Sequence, residues 1–293
     1  MKNGTAPARP PPPDGMRETE IVQYDYAHPS GLPRLDAVIL ERPLSIDVDG
    51  CIYTIMRTPG ADRELAAGFL FTEGLIAKTD DILMLSECPD TPDIITVKTC
   101  SPGNKPRRTL MITSSCGLCG REDINSMVES LGRIESAFRV PLETVYRVPA
   151  TVRAMQPLFD LTGGAHASAV FDEVGNVACV KEDVGRHNAL DKLIGHALLR
   201  GISLSGRGLF LSGRTSLEMI TKAARARMPV VAAVGAPTTA AIEAADRLAI
   251  TLCGFLRDGR ISVYTHGWRI LELKEANRKC SVNADKARCS PGS

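Results

Sequence analysis

Apolar and polar positions follow two different rhythms along this chain. In the first hundred residues the apolar stretches are short and broken by turn residues. Residues 44–48 and 51–55 flank Asp49-Gly50. A two-residue type I′ hairpin favours that dipeptide, so two paired strands are predicted. A helix is predicted over residues 62–76, with Leu65 and Phe69 on one face. Residues 94–97 and 110–113 predict further strands, and the Pro-, Gly- and Lys/Arg-rich stretch 101–108 predicts an exposed loop.

The second half changes period. Residues 169–172 and 177–180 predict a strand pair turning near Gly175-Asn176. Leu190, Leu193, Ile194, Ala197 and Leu198 then mark a helical stripe. Residues 208–211 and 230–234 read as buried strands, each leading into a helix: Leu217, Ile220 and Ala224 in the first, Ala241, Ala244, Ala245 and Leu248 in the second. Residues 249–253 and 261–264 close the pattern as strands. Such alternation predicts a largely parallel α/β sheet covered by helices, with loops gathered at the strands' carboxyl ends, where ligands bind. The expected organisation is a disordered Pro-rich tail over 1–20, a smaller mixed α+β unit over 21–112, an α/β domain over 113–270 and a C-terminal tail over 271–293.

Composition narrows the function classes. The 35 Lys+Arg against 34 Asp+Glu in 293 residues leave a net charge of +1, so neither a nucleic-acid nor a membrane partner is expected on electrostatic grounds. No apolar run approaches the ~18 residues of a membrane helix. Nine cysteines, an odd number at irregular spacing, do not make a secreted disulfide framework. The reducing cytoplasm is therefore the expected compartment, and a Cys-x-x-Cys pair there is expected to carry chemistry.

That pair is Cys116 and Cys119, in TSSCGLCG over residues 113–120. It falls between a predicted strand and a helix bearing Ile124, Met127, Val128 and Leu131, where helix-terminal amides favour the thiolate. A structural zinc site needs four ligands, and no second Cys-x-x-Cys is present, so no metal is expected. Zinc-deaminase chemistry is also disfavoured, because His166 follows the cysteines and lacks the adjacent glutamate. A persulfide or redox cysteine, and two incidental thiols, stay open as readings.

Two further groups of residues suit a phosphate-bearing ligand. Ser212-Gly213-Arg214-Thr215-Ser216 and Gly235-Ala236-Pro237-Thr238-Thr239 each join a strand to a helix, placing hydroxyls and free amides at a helix N-terminus. The loop Phe255-Leu256-Arg257-Asp258-Gly259-Arg260 adds two guanidinium groups and an aromatic ring. His166 at the rim of a Gly163-Gly164 turn, with Arg186 and His187, is a further candidate for ordering such a pocket. No GxxxxGK[ST] motif is present, which excludes ordinary P-loop hydrolysis.

Taken together, TSSCGLCG, TGGAHASAVFD (162–172), EDVGRHNALDKLIG (182–195), LSGRTSLEM (211–219), VGAPTTAAI (234–242) and CGFLRDGR (253–260) closely resemble the FdhD family. The stretches ERPLSIDVDG (41–50) and MRTPGADRELAAGFLFTEG (56–74) fit the same family. The resemblance implies a sulfur carrier, an accessory sulfurtransferase required for formate dehydrogenase activity. It implies that Cys116 accepts sulfur as a persulfide from a cysteine desulfurase, with Cys119 as the second cysteine. The sulfur would pass to the bis(molybdopterin guanine dinucleotide) form of the molybdenum cofactor, its guanine nucleotide held by residues 255–260. It also implies a homodimer and a cytidine-deaminase-like three-layer α/β sandwich with a smaller mixed α+β N-terminal domain. A cofactor-binding chaperone that moves no sulfur, and a dithiol oxidoreductase, are the alternatives from other classes.

Overall fold

The computed structural model describes residues 14–88, 91–100, 110–111 and 121–272. Strands β1 (Met16–Gln23) and β2 (Leu32–Ile39) pair antiparallel as a two-stranded ribbon. Next come β3 (Arg42–Val48), β4 (Cys51–Arg57), α1 (Asp62–Thr72), β5 (Ile82–Cys88), β6 (Thr91–Thr99) and β7 (Leu110–Met111). They build a five-stranded sheet in the order β5-β6-β3-β4-β7. The turn between β3 and β4 is the expected one: Val48 pairs with Cys51, and Asp49 and Gly50 both take positive φ, 52° and 87°. Leu65, Ala66, Phe69 and Leu70 of α1 bury against Leu44, Ile46, Ile55 and Ile95 of this sheet. The helix is shorter than the periodicity predicts. It stops at Thr72, and Gly74 turns the chain with φ 74°.

Then follow α2 (Arg121–Leu131), β8 (Val140–Pro141), α3 (Leu142–Arg153), α4 (Pro157–Thr162), β9 (His166–Phe171), β10 (Val177–Asp183), α5 (Arg186–Leu199), β11 (Gly208–Leu211), α6 (Leu217–Arg225), β12 (Val230–Ala233), α7 (Thr239–Arg247), β13 (Thr251–Arg257) and β14 (Arg260–Thr265). Six of these strands form one sheet in the order β10-β9-β11-β12-β13-β14. Only β11–β12 and β12–β13 are parallel, so the expected largely parallel sheet is corrected to a mixed one. The reason lies in the connections. β9 turns straight into β10, and β13 into β14, and a tight turn can join only antiparallel neighbours.

Helices cover both faces of the six-stranded sheet. Leu190, Leu193 and Ile194 of α5, with Ile220 of α6 and Ala245 of α7, pack on Val170, Leu209, Val231 and Leu252. Val145, Val148 and Val152 of α3 pack on the opposite face against Ala169, Phe171 and Phe210. The two sheets are joined through α1 and α5, whose backbones nearly touch. A Cβ added at Gly195 would stand 1.8 Å from the carbonyl oxygen of Glu64, and one at Gly68 would stand 1.9 Å from that of Asp191.

Two more expectations change. The chain is already a strand from Met16, so a disordered tail through residue 20 is too long. Residues 255–260 are not a loop but the tip of the β13–β14 hairpin. Arg257 pairs with Arg260, and Asp258 and Gly259 form the two-residue turn with φ of 53° and 69°. The expected loop at 101–108 and the expected tail after 272 lie outside the described residues, as does the boundary expected at 112/113.

Candidate functional site

Strand registers bring the candidate residues to one end of the six-stranded sheet. Leu211 pairs with Ser168 and Asp183 with His166. The end of β10, the start of β9 and the carboxyl ends of β11 and β12 therefore lie side by side. The loops beyond them are laced together by backbone hydrogen bonds. Gly235 N–H donates to Gly213 O (3.1 Å), Thr215 N–H to Ala236 O (3.1 Å), Thr238 N–H to Thr215 O (2.9 Å) and Phe255 N–H to Gly235 O (3.2 Å). Gly235 makes this lacing possible, since a Cβ there would stand 2.8 Å from Gly213 O.

Each predicted residue takes a definite place. Ser212 is structural: its Oγ accepts from Ala167 N–H at 2.8 Å and its own N–H donates to Ala167 O at 3.0 Å, fixing the loop to β9. Gly213 lies beneath two side chains, for a Cβ there would be 3.2 Å from His166 Nδ1 and 3.8 Å from Arg186 Cδ. Arg214 follows on the exposed side of the loop. At the far end, Phe255, Arg257, Asp258, Gly259 and Arg260 are exposed, with Phe255 at φ 53°. The Leu256 side chain is not available to a ligand. Strand alternation turns it inward, where it is 1 % exposed in the core, so its expected binding role is corrected. Cys116 and Cys119 lie outside the described residues.

The electrostatics of the His166 end are one-sided. Burial, then the Arg186 guanidinium, hold the His166 imidazole below its ordinary pKa; Arg214 acts in the same direction and Asp183 opposes it. Arg186 is itself pushed down by burial and by Arg214. Among the described residues no carboxylate lies in ion-pair range of either arginine, and Arg186 Nε and Thr215 Oγ1 are buried without a hydrogen-bond partner. His187 behind them is forced down to about 3 by burial and by Arg186, so it is neutral. Its Nε2 stands 3.3 Å from Glu218 Oε2 and 3.4 Å from Ser216 Oγ. Burial raises the Glu218 carboxyl.

Beneath this cluster the charges are paired. Asp183, fully buried, does not cap α5 with a simple side-chain bond as its position suggests. It accepts from Gly185 N–H (2.8 Å), Asn188 Nδ2 (2.9 Å) and Thr58 N–H (3.1 Å), and pairs with Lys192 Nζ at 2.7 Å. Lys192 also donates to Thr58 O at 2.8 Å, so the loop after β4 is tied to the start of α5. Glu218 escapes a reading of the sequence alone. An acid in a first helical turn is an ordinary feature there.

The comparisons with known proteins agree with one another. The family model described as FdhD/NarQ matches residues 39–271. A protein of Thermoplasma acidophilum named Sulfur carrier protein FdhD is 37% identical over 267 residues, covering 88% of this chain and 94% of its own. Proteins of the same name from Streptomyces coelicolor and Mycobacterium tuberculosis are 41% and 40% identical, covering 81% and 82% of this chain and 90% and 93% of their own. A crystal structure from Desulfotalea psychrophila, described as a formate dehydrogenase accessory protein, superposes with a TM-score of 0.72 at 24% identity, over 88% of this chain and 100% of that one. With the family-model match over residues 39–271 spanning the five-stranded sheet, the six-stranded sheet and the strand-end cluster, this chain belongs to the FdhD/NarQ family.

Proposed function

We propose that this protein is a sulfur carrier acting in the cytoplasm, a sulfurtransferase that accepts sulfur on Cys116 and delivers it to a molybdenum cofactor destined for formate dehydrogenase. The observation that supports it best is the alignment of the phosphate-suited loops along one sheet end, in a chain whose relatives are named sulfur carriers. The substrate is read as the bis(molybdopterin guanine dinucleotide) form. The exposed Phe255 and the Arg257/Arg260 hairpin tip suit its guanine nucleotide, and the Arg186 and Arg214 guanidinium groups near His166 suit phosphate oxygens. A homodimer, and kinship of the six-stranded sheet with the cytidine-deaminase sandwich, belong to the same reading.

In the loading step the Cys116 thiolate attacks the terminal sulfur of a cysteine desulfurase persulfide. One S–S bond forms, the donor's S–S bond breaks, and the donor cysteine leaves as thiolate, so no net oxidation occurs. For release, the Cys119 thiolate attacks the Cys116 sulfur and expels hydrosulfide. The Cys116–Cys119 disulfide left behind is reduced by cellular thiols. The test is mass spectrometry after incubation with desulfurase and cysteine. The wild-type protein should gain one sulfur on Cys116, and Cys116→Ala should gain none while keeping its circular dichroism. Sulfur loading in the alanine variant would remove the carrier reading and favour a cofactor-binding chaperone.

A further inference from the structure

A cleft of about 280 Å³ opens where the ends of α1, β6 and α6 meet, and none of its lining residues belongs to the strand-end cluster. It holds one cation and one carboxylate that do not pair with each other. Arg225, the last residue of α6, is half-buried and lies against bare backbone: a Cβ at Gly74 would stand 2.8 Å from its Nη1 and 2.9 Å from its Nη2. Among the described residues its guanidinium has no carboxylate in ion-pair range and no hydrogen-bond partner. Burial pushes it below its ordinary pKa. Glu73 opposes that shift from a distance, but Glu73 is itself held by Lys222 Nζ at 3.2 Å. A half-buried charge left in this state is costly, and a bound carboxylate would relieve it.

Asp81, the residue before β5, also lines the cleft. Its Oδ2 accepts from Ala77 N–H at 2.7 Å and from Lys78 N–H at 3.0 Å, and Cys100 Sγ donates to its Oδ1 at 3.7 Å. Cys100 N–H donates to Asp81 O at 3.0 Å as well, so the end of β6 fixes this residue twice. The Ala77 and Lys78 amides hold the Asp81 carboxyl below its ordinary range, which keeps it charged at neutral pH. Lys78 Nζ turns to Asp80 instead, at 3.5 Å, and among the described residues no cation stands in ion-pair range of Asp81, Arg225 included. Its Oδ1 therefore has capacity for a further, charged donor. Leu75 and Ile76 supply the apolar surface of the cleft.

Opposite charges kept apart in one cleft suit a ligand that carries both. A simple anion would leave Asp81 unpaired beside it, and a simple amine would leave Arg225 so. We propose that this cleft binds a free α-amino acid, its carboxylate on the Arg225 fork, its ammonium on Asp81 Oδ1 and a small apolar side chain against Leu75 and Ile76. The volume lies near the small end of ligand pockets, about 300 Å³, which fits an amino acid better than a nucleotide. The assignment does not rest on the sulfur-carrier reading.

The probe is L-valine, titrated calorimetrically into the full chain at millimolar concentrations. It should bind the wild-type protein. Isovalerate, which lacks the ammonium, and isobutylamine, which lacks the carboxylate, should each bind about tenfold more weakly or worse. Arg225→Gln should weaken L-valine about tenfold or more, and Arg225→Lys should restore only part of the loss, since an ammonium lacks the fork. Asp81→Asn keeps an oxygen for the Ala77 and Lys78 amides. It should weaken L-valine about fivefold or more while leaving isovalerate no weaker than in wild type. Arg63→Gln, on an exposed position of α1, should stay within about twofold of wild type. Thermal melts check that each variant is folded, and the comparison of the three ligands on wild-type protein decides the matter where a variant is not. Failure of L-valine to bind, isovalerate or isobutylamine binding as tightly as L-valine, or an unchanged affinity in folded Arg225→Gln would overturn the assignment.

Discussion

Two sets of charges sit close to each other on and around α5 and α6 and obey opposite rules. Deep in the seam between α1, α5 and α6, Lys222 Nζ is held by Asp191 (2.8 Å), Thr72 Oγ1 (2.9 Å) and Glu73 (3.2 Å). Its pKa is driven upward by those acids despite complete burial. At the strand ends, Arg186 and Arg214 have no ion-pair partner among the described residues, and burial, then Arg214, holds the Arg186 guanidinium below its ordinary pKa. The interior set is complete and serves the fold. The strand-end set has no such pairing among the described residues.

The sharpest way to break this contrast is to remove one member of the interior set. Lys222→Met leaves the Asp191 carboxyl buried and uncompensated, and should destabilise the protein by about 3–5 kcal/mol in urea unfolding. Adding Asp191→Leu should recover most of that, because an apolar pair replaces a charged one at little net loss. If the double variant were no better than the single one, the pair would be doing more than neutralising itself.

At any one pH above about 5, a smaller effect is expected from His187. Its folded-state pKa lies at about 3, against an ordinary 6.5. Between those values the unfolded chain binds a proton that the folded chain does not. Stability therefore falls as the pH drops from about 6.5 towards 3, by up to about 1.4 kcal/mol per pH unit for this one group. His187→Gln should flatten the dependence by that amount, and equal slopes in both proteins would assign it to other groups. The smallest effect sharpens the comparison by its sign. Arg186→Gln removes a repelled charge and should leave stability unchanged or raise it by up to about 1 kcal/mol. A clear loss in the melting midpoint would place Arg186 with the structural set instead.

The parts of this molecule that were legible in the sequence are those governed by local rules. Asp49-Gly50 specified its hairpin through the positive φ both positions adopt, and the Leu190 stripe specified α5 through helical spacing. The β1–β2 ribbon was not legible, because most of its residues are exposed and leave no alternating pattern to read. Leu256 was misplaced because a loop reading has no inside and outside, whereas a strand does. The pairing of Lys222 with Asp191 joins residues 31 positions apart on different helices, and composition carries no trace of it. The grouping of His166, Arg186 and Arg214 was legible only as three separate motifs. Strand register made them one neighbourhood.

The near contact of Gly68 with Gly195 has a consequence for how this protein can vary. At that crossing neither helix can accept even a methyl group without colliding with the other's carbonyl. No side-chain change on the other helix can relieve such a collision, because the atom struck is backbone, so both glycines are needed for the helices to lie this close. Arg186 stands at the first turn of one of those helices, which ties the strand-end cluster to the small sheet on the far side of the seam.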